Sequence, residues 1–296
     1  MVDRKQIIGL GEVLWDVFPD GPRFGGAPAN FACSAAGVGG SSVHVSMVTG
    51  VGNDPLGEQG LEEFRKRNVD VAHVTQLNRQ TGQVLVQLDA QGQASYKFLE
   101  DTAWDNVIWK NDLQLLAQNT DAVCFGTLGQ RSVVSRQTIC QFVNATPDDC
   151  LRILDINLRP PYWNDAVILE SLPLVNVLKL NSDELPIVAS CLSLQGNEEE
   201  LMQQLLQRFS LRLVALTRGA AGSLLLSSTG QRSELPGNAI QIVDTVGAGD
   251  AFTAALTVGL LRDWPLLEVH AWADRVAAFV CTQSGATPDL PDVFPD

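Results

Sequence analysis

A nine-residue stretch near the C-terminus, Asp-Thr-Val-Gly-Ala-Gly-Asp-Ala-Phe at 244–252, combines the residue types that transfer of a phosphoryl group needs. Apolar residues at helical spacing follow it, so Gly247, Ala248 and Gly249 are predicted at a helix start, where free backbone N–H groups attract an anion. Asp250 stands beside them and can take the proton of an attacking hydroxyl group. The pattern therefore predicts an anion hole with a general base, although an ordinary helix cap has the same residue types.

Two segments near the N-terminus have groups that bind hydroxyls. The pair Gly25 and Gly26 allows the backbone to approach a small ligand closely, and Asn30 can both donate and accept hydrogen bonds. Asp16 can accept from two adjacent sugar hydroxyls, while a turn carboxylate is the plainer interpretation. Together these residues predict a pocket for a small hydroxylated ligand.

Three more polar segments each follow a predicted strand, at the sheet edge where α/β proteins bind ligands. Their candidate residues are Arg159 in Asp-Ile-Asn-Leu-Arg, Asn181 and Glu184 in Asn-Ser-Asp-Glu, and Thr217, Gly219 and Gly222 in Thr-Arg-Gly-Ala-Ala-Gly. A Glu with an amide suits the waters of Mg²⁺ and a phosphate, and a Thr with two glycines suits a phosphate or an adenine edge. A helix cap and a simple turn are the alternatives for the last two segments.

The composition limits the class of protein. The 296 residues are 45% hydrophobic, which is enough for a large core, and the formal net charge is −14. Because nucleic acids and anionic membranes attract clustered basic residues, we expect neither as a partner. No apolar run is long enough to span a membrane, no leader precedes Ile7, and the six cysteines form no Cys-x-x-Cys pair. These features predict a cytoplasmic protein.

Short apolar runs alternate with amphipathic segments along most of the chain, which predicts a three-layer α/β/α fold with a mostly parallel sheet. We predict strands at 4–10, 42–48, 122–126, 151–155, 175–180, 211–217 and 239–243. We predict helices at 27–37, 57–67, 198–209 and 251–262. No repeat or linker is visible, so we expect one domain over residues 1–296.

Two segments interrupt this alternation. Residues 12–26, with a Pro-Asp-Gly-Pro turn, predict β-structure, and residues 81–100, with an Asp-Ala-Gln-Gly turn and apolar residues up to Tyr96 and Phe98, predict a hairpin. We expect the two to pair into a small sheet that covers the site as a lid and excludes water. Exposed edges with apolar Val84, Val86 and Leu88 would then pair two copies of the lid, which predicts a homodimer.

These motifs together resemble the ribokinase-like (pfkB-type) carbohydrate kinases over essentially the whole chain. That family has the Asp-Thr-x-Gly-Ala-Gly-Asp-x-Phe run near its C-terminus and a Gly-Gly pair followed four residues later by Asn, as at 25–30. The resemblance implies that Asp250 is the catalytic base and that the amides of Gly247, Ala248 and Gly249 form the anion hole. It also implies that Asp16, Gly26 and Asn30 hold the sugar.

The resemblance further implies ATP as phosphoryl donor, with Mg²⁺. Asn181 and Glu184 match the family's Asn-x-x-Glu motif, tied to Mg²⁺ and phosphates, with Glu184 acting on Mg²⁺ through water. The nucleotide-side residues are Thr217, Gly219, Gly222 and Gly249. Family members often bind a monovalent cation such as K⁺ where this chain has Asp244, Thr245, Val280 and Gly285.

Within the family, the motifs look most like those of bacterial fructokinases, which implies phosphorylation of D-fructose to fructose 6-phosphate. Gly-Glu-Val-Leu-Trp-Asp at 11–16 and Ala-Trp-Asp at 103–105 carry this likeness, and Trp104 and Arg159 join the sugar-binding set. Alternatives are 2-keto-3-deoxygluconate kinase, which shares Asp-x-Asn-x-Arg, another sugar or nucleoside kinase, and a catalytically silent sugar-sensing protein. Between 81 and 105, Lys97 is the one cation among four carboxylates, which favours a neutral sugar.

Overall fold

Strands and helices extend from Lys5 to Cys281 in the computed structural model, which describes residues 4–88 and 94–291. The strands are β1 (Lys5–Leu10), β2 (Leu14–Phe18), β3 (Gly21–Gly25), β4 (Val43–Gly52), β5 (Val69–Asp70), β6 (Val74–Leu77), β7 (Gly82–Leu88), β8 (Ala94–Phe98), β9 (Ala122–Phe125), β10 (Leu151–Asp155), β11 (Val177–Asn181), β12 (Leu213–Thr217), β13 (Ser223–Ser227) and β14 (Arg232–Leu235). The α-helices are α1 (Ala27–Gly39), α2 (Pro55–Lys66), α3 (Asn111–Ala117), α4 (Val133–Asn144), α5 (Asp165–Ser171), α6 (Glu184–Cys191), α7 (Glu198–Arg208), α8 (Ala248–Leu261) and α9 (Leu266–Cys281). Single 3₁₀ turns lie at Gly40–Ser42, Ala103–Asn106, Leu128–Gln130, Leu172–Leu174 and Gly219–Ala221.

A large sheet with the strand order β14-β13-β12-β11-β10-β9-β1-β4-β5 forms the centre, and β6 also pairs with β4. The strands from β12 to β5 run parallel, and β13 and β14 add an antiparallel edge. The chain winds outward from β1 first through β4 and then, in the other direction, through β9 to β12. The carboxyl ends of β1 and β9 therefore border the point where the winding reverses, which is the usual ligand position in such sheets.

Helices cover both faces of this sheet, as the alternating pattern predicts. Phe31 of α1 and Phe252 of α8 belong to the core on one face, together with residues of α2 and α9. Phe142 of α4 and Leu205 of α7 belong to the core on the other face, with residues of α3, α5 and α6. The mostly parallel three-layer class is confirmed. No helix among residues 4–88 and 94–291 has the length and apolar character needed to cross a bilayer.

The two interrupting segments pair with each other in a second sheet, of order β3-β2-β7-β8, which we call the lid sheet. β2 pairs with β3 and β7 with β8 in antiparallel fashion, and β2 and β7 join in parallel. Val84 is buried against Leu14 and Trp104 and so is not available on an open edge, which corrects that part of the dimer argument. The side chains of Val86, Leu88 and Tyr96 and the turn at 89–92 lie outside the described residues.

The predicted strand at 239–243 is wrong, because this segment is an irregular loop. Ile242 and Val243 have 58% and 61% of their surface exposed. The Val243 N–H donates to the Cys281 carbonyl at the end of α9, 2.9 Å away, and not to a neighbouring strand. Alternating apolar residues normally indicate one buried sheet face, but here they face solvent. The following helix begins at Ala248, three residues before the predicted start.

Candidate active site

The stretch 244–252 enters α8 through a turn that only glycine tolerates. Gly247, the N-cap residue, has a φ of 81°, and a Cβ there would lie 2.3 Å from the Ala286 carbonyl oxygen. The Ala248 N–H donates to the Thr245 carbonyl at 3.3 Å. Like every helix start, the first turn has further N–H groups without acceptors inside the helix, and with the helix dipole they attract an anion.

Asp250 lies in this first turn and is held by α1. The Asn30 Nδ2 donates to Asp250 Oδ2 at 2.8 Å. Burial raises the pKa of Asp250 to about 7, and repulsion from Asp155 adds to the rise, whereas the Asn30 hydrogen bond and the charges of Lys179 and Arg159 oppose it. A carboxylate with a pKa near neutral is well suited to accept the proton of a hydroxyl group.

The residues predicted to hold the sugar come from separate segments. Asp16 lies on β2, and its Oδ2 would be 3.3 Å from a Cβ at Gly25, the last residue of β3. Gly26 caps α1, and its carbonyl accepts from the Asn30 N–H at 2.8 Å. Burial raises the pKa of Asp16, while the charge of Arg159 lowers the pKa of Asp16 as it does that of Asp250. The fold therefore gathers these residues around one place.

The nucleotide-side motifs lie on neighbouring strands. Asn181 and Thr217 are directly paired at the ends of β11 and β12. The Asn181 Oδ1 accepts two backbone N–H groups of the following turn, which leaves its amide NH₂ as a donor. Gly219 begins the short turn after Thr217, and Gly222 ends it, packed against the Leu235 carbonyl. Two predicted ligand segments are thus adjacent.

The loop beyond this turn has exposed apolar residues that the sequence did not mark as ligand-binding. Gly222 packs against the chain that leads out of β14 into this loop. Within the loop, Ile242, Val243 and Val246 have 58%, 61% and 51% of their surface exposed. Exposed apolar side chains beside a polar site suit the flat face of a nucleotide base. The alternating apolar pattern predicted a buried strand at 239–243, so the exposure of these side chains was not expected.

Glu184 has carboxylate oxygens that could bind Mg²⁺ through the water molecules of the ion. Its Oε1 accepts from the Leu158 N–H and its Oε2 from the Asn181 N–H, both at 2.9 Å. Each oxygen keeps a lone pair for a metal-bound water, and Mg²⁺ commonly retains its waters. Among the described residues, no cluster of three or more His, Cys, Asp or Glu side chains could hold a metal by itself.

Two of the residues predicted for a monovalent cation are joined directly. Asp244 Oδ1 accepts from the Val246 N–H at 3.0 Å, and Oδ2 accepts from the Gly285 N–H at 3.1 Å. The carbonyl of Val280, in the last turn of α9, accepts from the Gln283 N–H. Carbonyl oxygens suit K⁺, but both Asp244 oxygens already order the loop. The cation site stays a prediction.

Trp104 lies beneath the lid sheet and is almost fully buried. The Arg131 guanidinium stacks 4.1 Å above its ring, and a Cβ at Gly82 would lie 2.4 Å from its Nε1. With Arg131 on one face of the ring and Gly82 at its edge, Trp104 supports the lid sheet, and its contact with a sugar stays a prediction.

Three charged residues of the site were not among the sequence candidates for binding or catalysis. Glu12 is buried, its Oε2 would be 3.1 Å from a Cβ at Gly129, and burial with repulsion from Asp250 raises the pKa of Glu12 to about 7. Asp155 and Lys179 form a buried ion pair of 3.1 Å. The sequence did carry signals for them, because Asp155 and Glu12 lie within the motifs at 155–159 and 11–16 and Lys179 interrupts an apolar strand.

The fold and this site define a phosphotransferase of the α/β class. Residues 19–293 match the model of the pfkB family carbohydrate kinases, and the chain therefore belongs to that family, whose members transfer phosphoryl groups to an alcohol acceptor. It is 30% identical over 301 residues to a fructokinase of Salmonella typhimurium, with 95% of each chain covered.

An archaeal protein is similar in sequence and in structure. The chain is 31% identical over 271 residues to a sugar kinase of Pyrococcus horikoshii that is described as uncharacterized, covering 88% of this chain and 82% of that protein. The crystal structure of that protein in complex with ATP matches at a TM-score of 0.79 and 28% identity, over 95% of this chain and 93% of the other.

Proposed function

We propose that this sugar kinase transfers the γ-phosphoryl group of ATP to the C6 hydroxyl of D-fructose, forming fructose 6-phosphate. The observation that carries the proposal is the Asp250 carboxylate, which Asn30 holds at the start of α8. The fructokinase name of a relative and the ATP complex of another support it.

In this mechanism, the hydroxyl lies between Asp250 and the γ-phosphate, in line for attack. Asp250 accepts the hydroxyl proton as the new O–P bond forms and the bond to ADP breaks. The N–H groups of Gly247 and Gly249 stabilise the charge on the transferring group, and the Ala248 N–H joins them when its 3.3 Å bond to the Thr245 carbonyl opens. Mg²⁺, held through water by Glu184, would neutralise charge on the phosphates. The lid sheet would limit access of water, which would otherwise compete as acceptor.

Charge favours a neutral sugar over a sugar acid. The positive charge of the Arg159 guanidinium lowers the pKa values of three carboxyl groups, those of Glu12, Asp16 and Asp250. A cation whose charge already acts on three acids has less positive potential left for a substrate carboxylate. This balance of charge around Arg159 supports a neutral sugar over 2-keto-3-deoxygluconate, although Arg23 also acts on Asp16.

The decisive experiment measures ADP release by the purified protein with fructose, ribose, 2-keto-3-deoxygluconate, nucleosides and hexose phosphates, with and without K⁺. We expect the highest kcat/KM with fructose and a requirement for Mg²⁺. A higher kcat/KM with any other acceptor would reject fructose, and saturable sugar binding without ADP release from any acceptor would identify a sugar-sensing protein. Activation by K⁺ would support the cation site at Asp244 and Gly285.

We also propose a cytoplasmic homodimer formed through the lid sheet. The use of ATP and the six free cysteines support the location. The lid sheet supports the dimer because β3 and β8 are its edge strands in the described residues. Light scattering at micromolar concentration tests this, and a monomer would reject it.

A further inference from the structure

A buried lysine lies directly behind the proposed anion hole. Lys179, on β11, places its Nζ 3.1 Å from the Oδ1 of Asp155. A Cβ at Gly249 would lie 3.1 Å from the same Nζ. Gly249 is in the first turn of α8, so the absent side chain is what allows the ammonium group to approach the backbone of that turn.

Asp155 holds this ammonium group and is itself tied to α8. The second carboxylate oxygen, Oδ2, accepts from the Thr253 hydroxyl at 3.1 Å, and that hydroxyl is 2.9 Å from the Gly249 carbonyl. Asp155, Lys179 and Thr253 are all buried. The ion pair therefore cannot rearrange without disturbing the first turn of the helix.

Stability alone does not explain a buried ion pair here. Removing two charges from water costs several kcal/mol per ion, and apolar side chains of the same volume are often equally stable or more stable. Lys179 is also attracted by Glu184 and Asp250, two residues of the proposed site. Its position suggests an electrostatic role.

We propose that Lys179 is a positioning residue whose ammonium group, held by Asp155 against Gly249, adds positive charge behind the anion hole and strengthens binding of the ATP triphosphate. The charge acts through the first turn of α8, adding to the helix dipole in a site of low dielectric constant. The consequence for catalysis rests on the proposed kinase function, whereas binding of ATP can be measured without any sugar.

The same pair acts in opposite directions on the proposed base. Asp155 raises the pKa of Asp250 and Lys179 lowers it. The other polar or charged groups that act on this carboxyl, or on the groups around it, are Glu12 after β1, Asn30 on α1, Cys124 on β9, Arg159 after β10 and Glu184 on α6. Exchanging one member of the pair therefore changes the field at Asp250 with a known sign.

Calorimetric titration with ATP and with adenosine tests the proposal directly. The double variant Asp155→Asn with Lys179→Met removes both charges and leaves no unpaired buried ion, so it should fold. Although the two charges are opposite, the ammonium dominates at the turn, because Lys179 Nζ would lie 3.1 Å from a Cβ at Gly249 and no Asp155 atom comes within 4 Å of it. We therefore expect the Kd of the double variant for ATP to rise at least tenfold while its Kd for adenosine stays within twofold. Thr257→Val, which removes a buried hydroxyl one turn further along α8, is the matched control and should change neither. Equal ATP affinity in the double variant and the wild type would overturn the proposal.

The acid limb of the kcat/KM profile gives a second, independent readout. Lys179→Met should move the limb to higher pH, and Asp155→Asn should move it to lower pH. If Lys179→Met does not fold, the shift of the acid limb in Asp155→Asn decides this test. An acid limb at the wild-type pH would count against the proposal. Shifts of both variants in the same direction would count against it as well. If the wild type phosphorylates no sugar, the proposed function fails, and the titrations still decide the role of Lys179.

Discussion

Two buried ion pairs lie in the part of the chain that the structure describes, and they differ in what surrounds them. The side chains of Lys179 and Asp155 are 8% and 6% exposed, and those of Arg131 and Asp105 are 9% and 5% exposed. Arg131 binds Asp105 through two hydrogen bonds, of 2.8 and 2.7 Å, and stacks on Trp104. The Lys179 contact is a single bond of 3.1 Å, with other carboxylates close by.

The comparison shows that two equally buried ion pairs can have different roles. The planar guanidinium of Arg131 has fixed donor directions, so it determines the geometry of the segment that follows the lid sheet. The ammonium of Lys179 is a compact charge without directional preference, and it lies among groups of the active site. One pair holds a shape, and the other sets an electric field.

The largest effect on activity is expected for Asp250, the proposed base, on which the charges of Asp155 and Lys179 act. Asp250→Asn should lower kcat on the order of 10³-fold, because the variant cannot accept a proton, while sugar binding persists. Steady-state kinetics and equilibrium binding of fructose measure the two quantities. Asp263→Asn, in the exposed turn just after the same helix, is the control and should retain full activity. Near-normal turnover by Asp250→Asn would remove Asp250 from the mechanism.

Loss of the Arg131–Asp105 pair should lower the stability of the fold. Arg131→Ala leaves Asp105 buried without its partner, so the free energy of unfolding should fall by about 3 kcal/mol, with the Kd for ATP unchanged within twofold. Urea unfolding measures the free energy of unfolding, and calorimetric titration measures the Kd for ATP. Arg136→Ala removes a more exposed pair with Glu170 and should cost less than about 1 kcal/mol. An Arg131→Ala variant that lost ATP affinity but not stability would contradict the distinction between the pairs.

Glu12 should make the active-site region less stable at high pH. Its pKa is raised from 4.5 to about 7, so the folded state favours the protonated form. Stability from this group is complete below pH 4.5 and is lost as the pH rises through 7. Glu12→Gln should therefore stabilise the protein by up to about 2–3 kcal/mol at pH 8, and the gain should vanish near pH 4.5.

Urea unfolding across this pH range measures the effect, with His270 as a control of opposite sign. Burial between Ser223 and Ser233 lowers the pKa of His270 from 6.5 to about 4, so the wild type loses stability as the pH falls from 6.5 towards 4. His270→Gln should remove that acid-side loss. A Glu12→Gln gain that did not change with pH would show that packing, and not charge, is responsible.

The smallest effect is expected at the exposed edge of the site. Arg159→Ala removes a cation that lies near Asp16 and Asp250, and we expect the KM for fructose to rise about tenfold, an amount typical of one charged hydrogen bond. Steady-state kinetics measure it against Arg212→Ala, a solvent-exposed arginine outside the site, which should change nothing. Unchanged KM and kcat in Arg159→Ala would withdraw Arg159 from substrate binding.

Local patterns predicted most of the fold correctly. Strand β10 has the predicted bounds, and α1, α2 and α7 begin or end within two residues of prediction, because hydrophobic periodicity is a property of neighbouring residues. The same logic failed at 239–243, where the alternation of apolar residues is genuine but faces solvent. It failed again for Val84, since a period of two does not say which face of a sheet will be covered.

The sequence by itself determined that glycines and an acid would meet at a helix start, and that polar segments would end neighbouring parallel strands. Spacing along the chain is enough for such conclusions, because helix caps depend on neighbouring residues and consecutive parallel strands are usually adjacent in a sheet. Only the tertiary structure decided that Asn30 holds Asp250, that Lys179 reaches the first turn of α8, and that Glu12 is buried beside them. Burial and charge interactions depend on distances between segments far apart in the chain, and those distances exist only once the layers have packed.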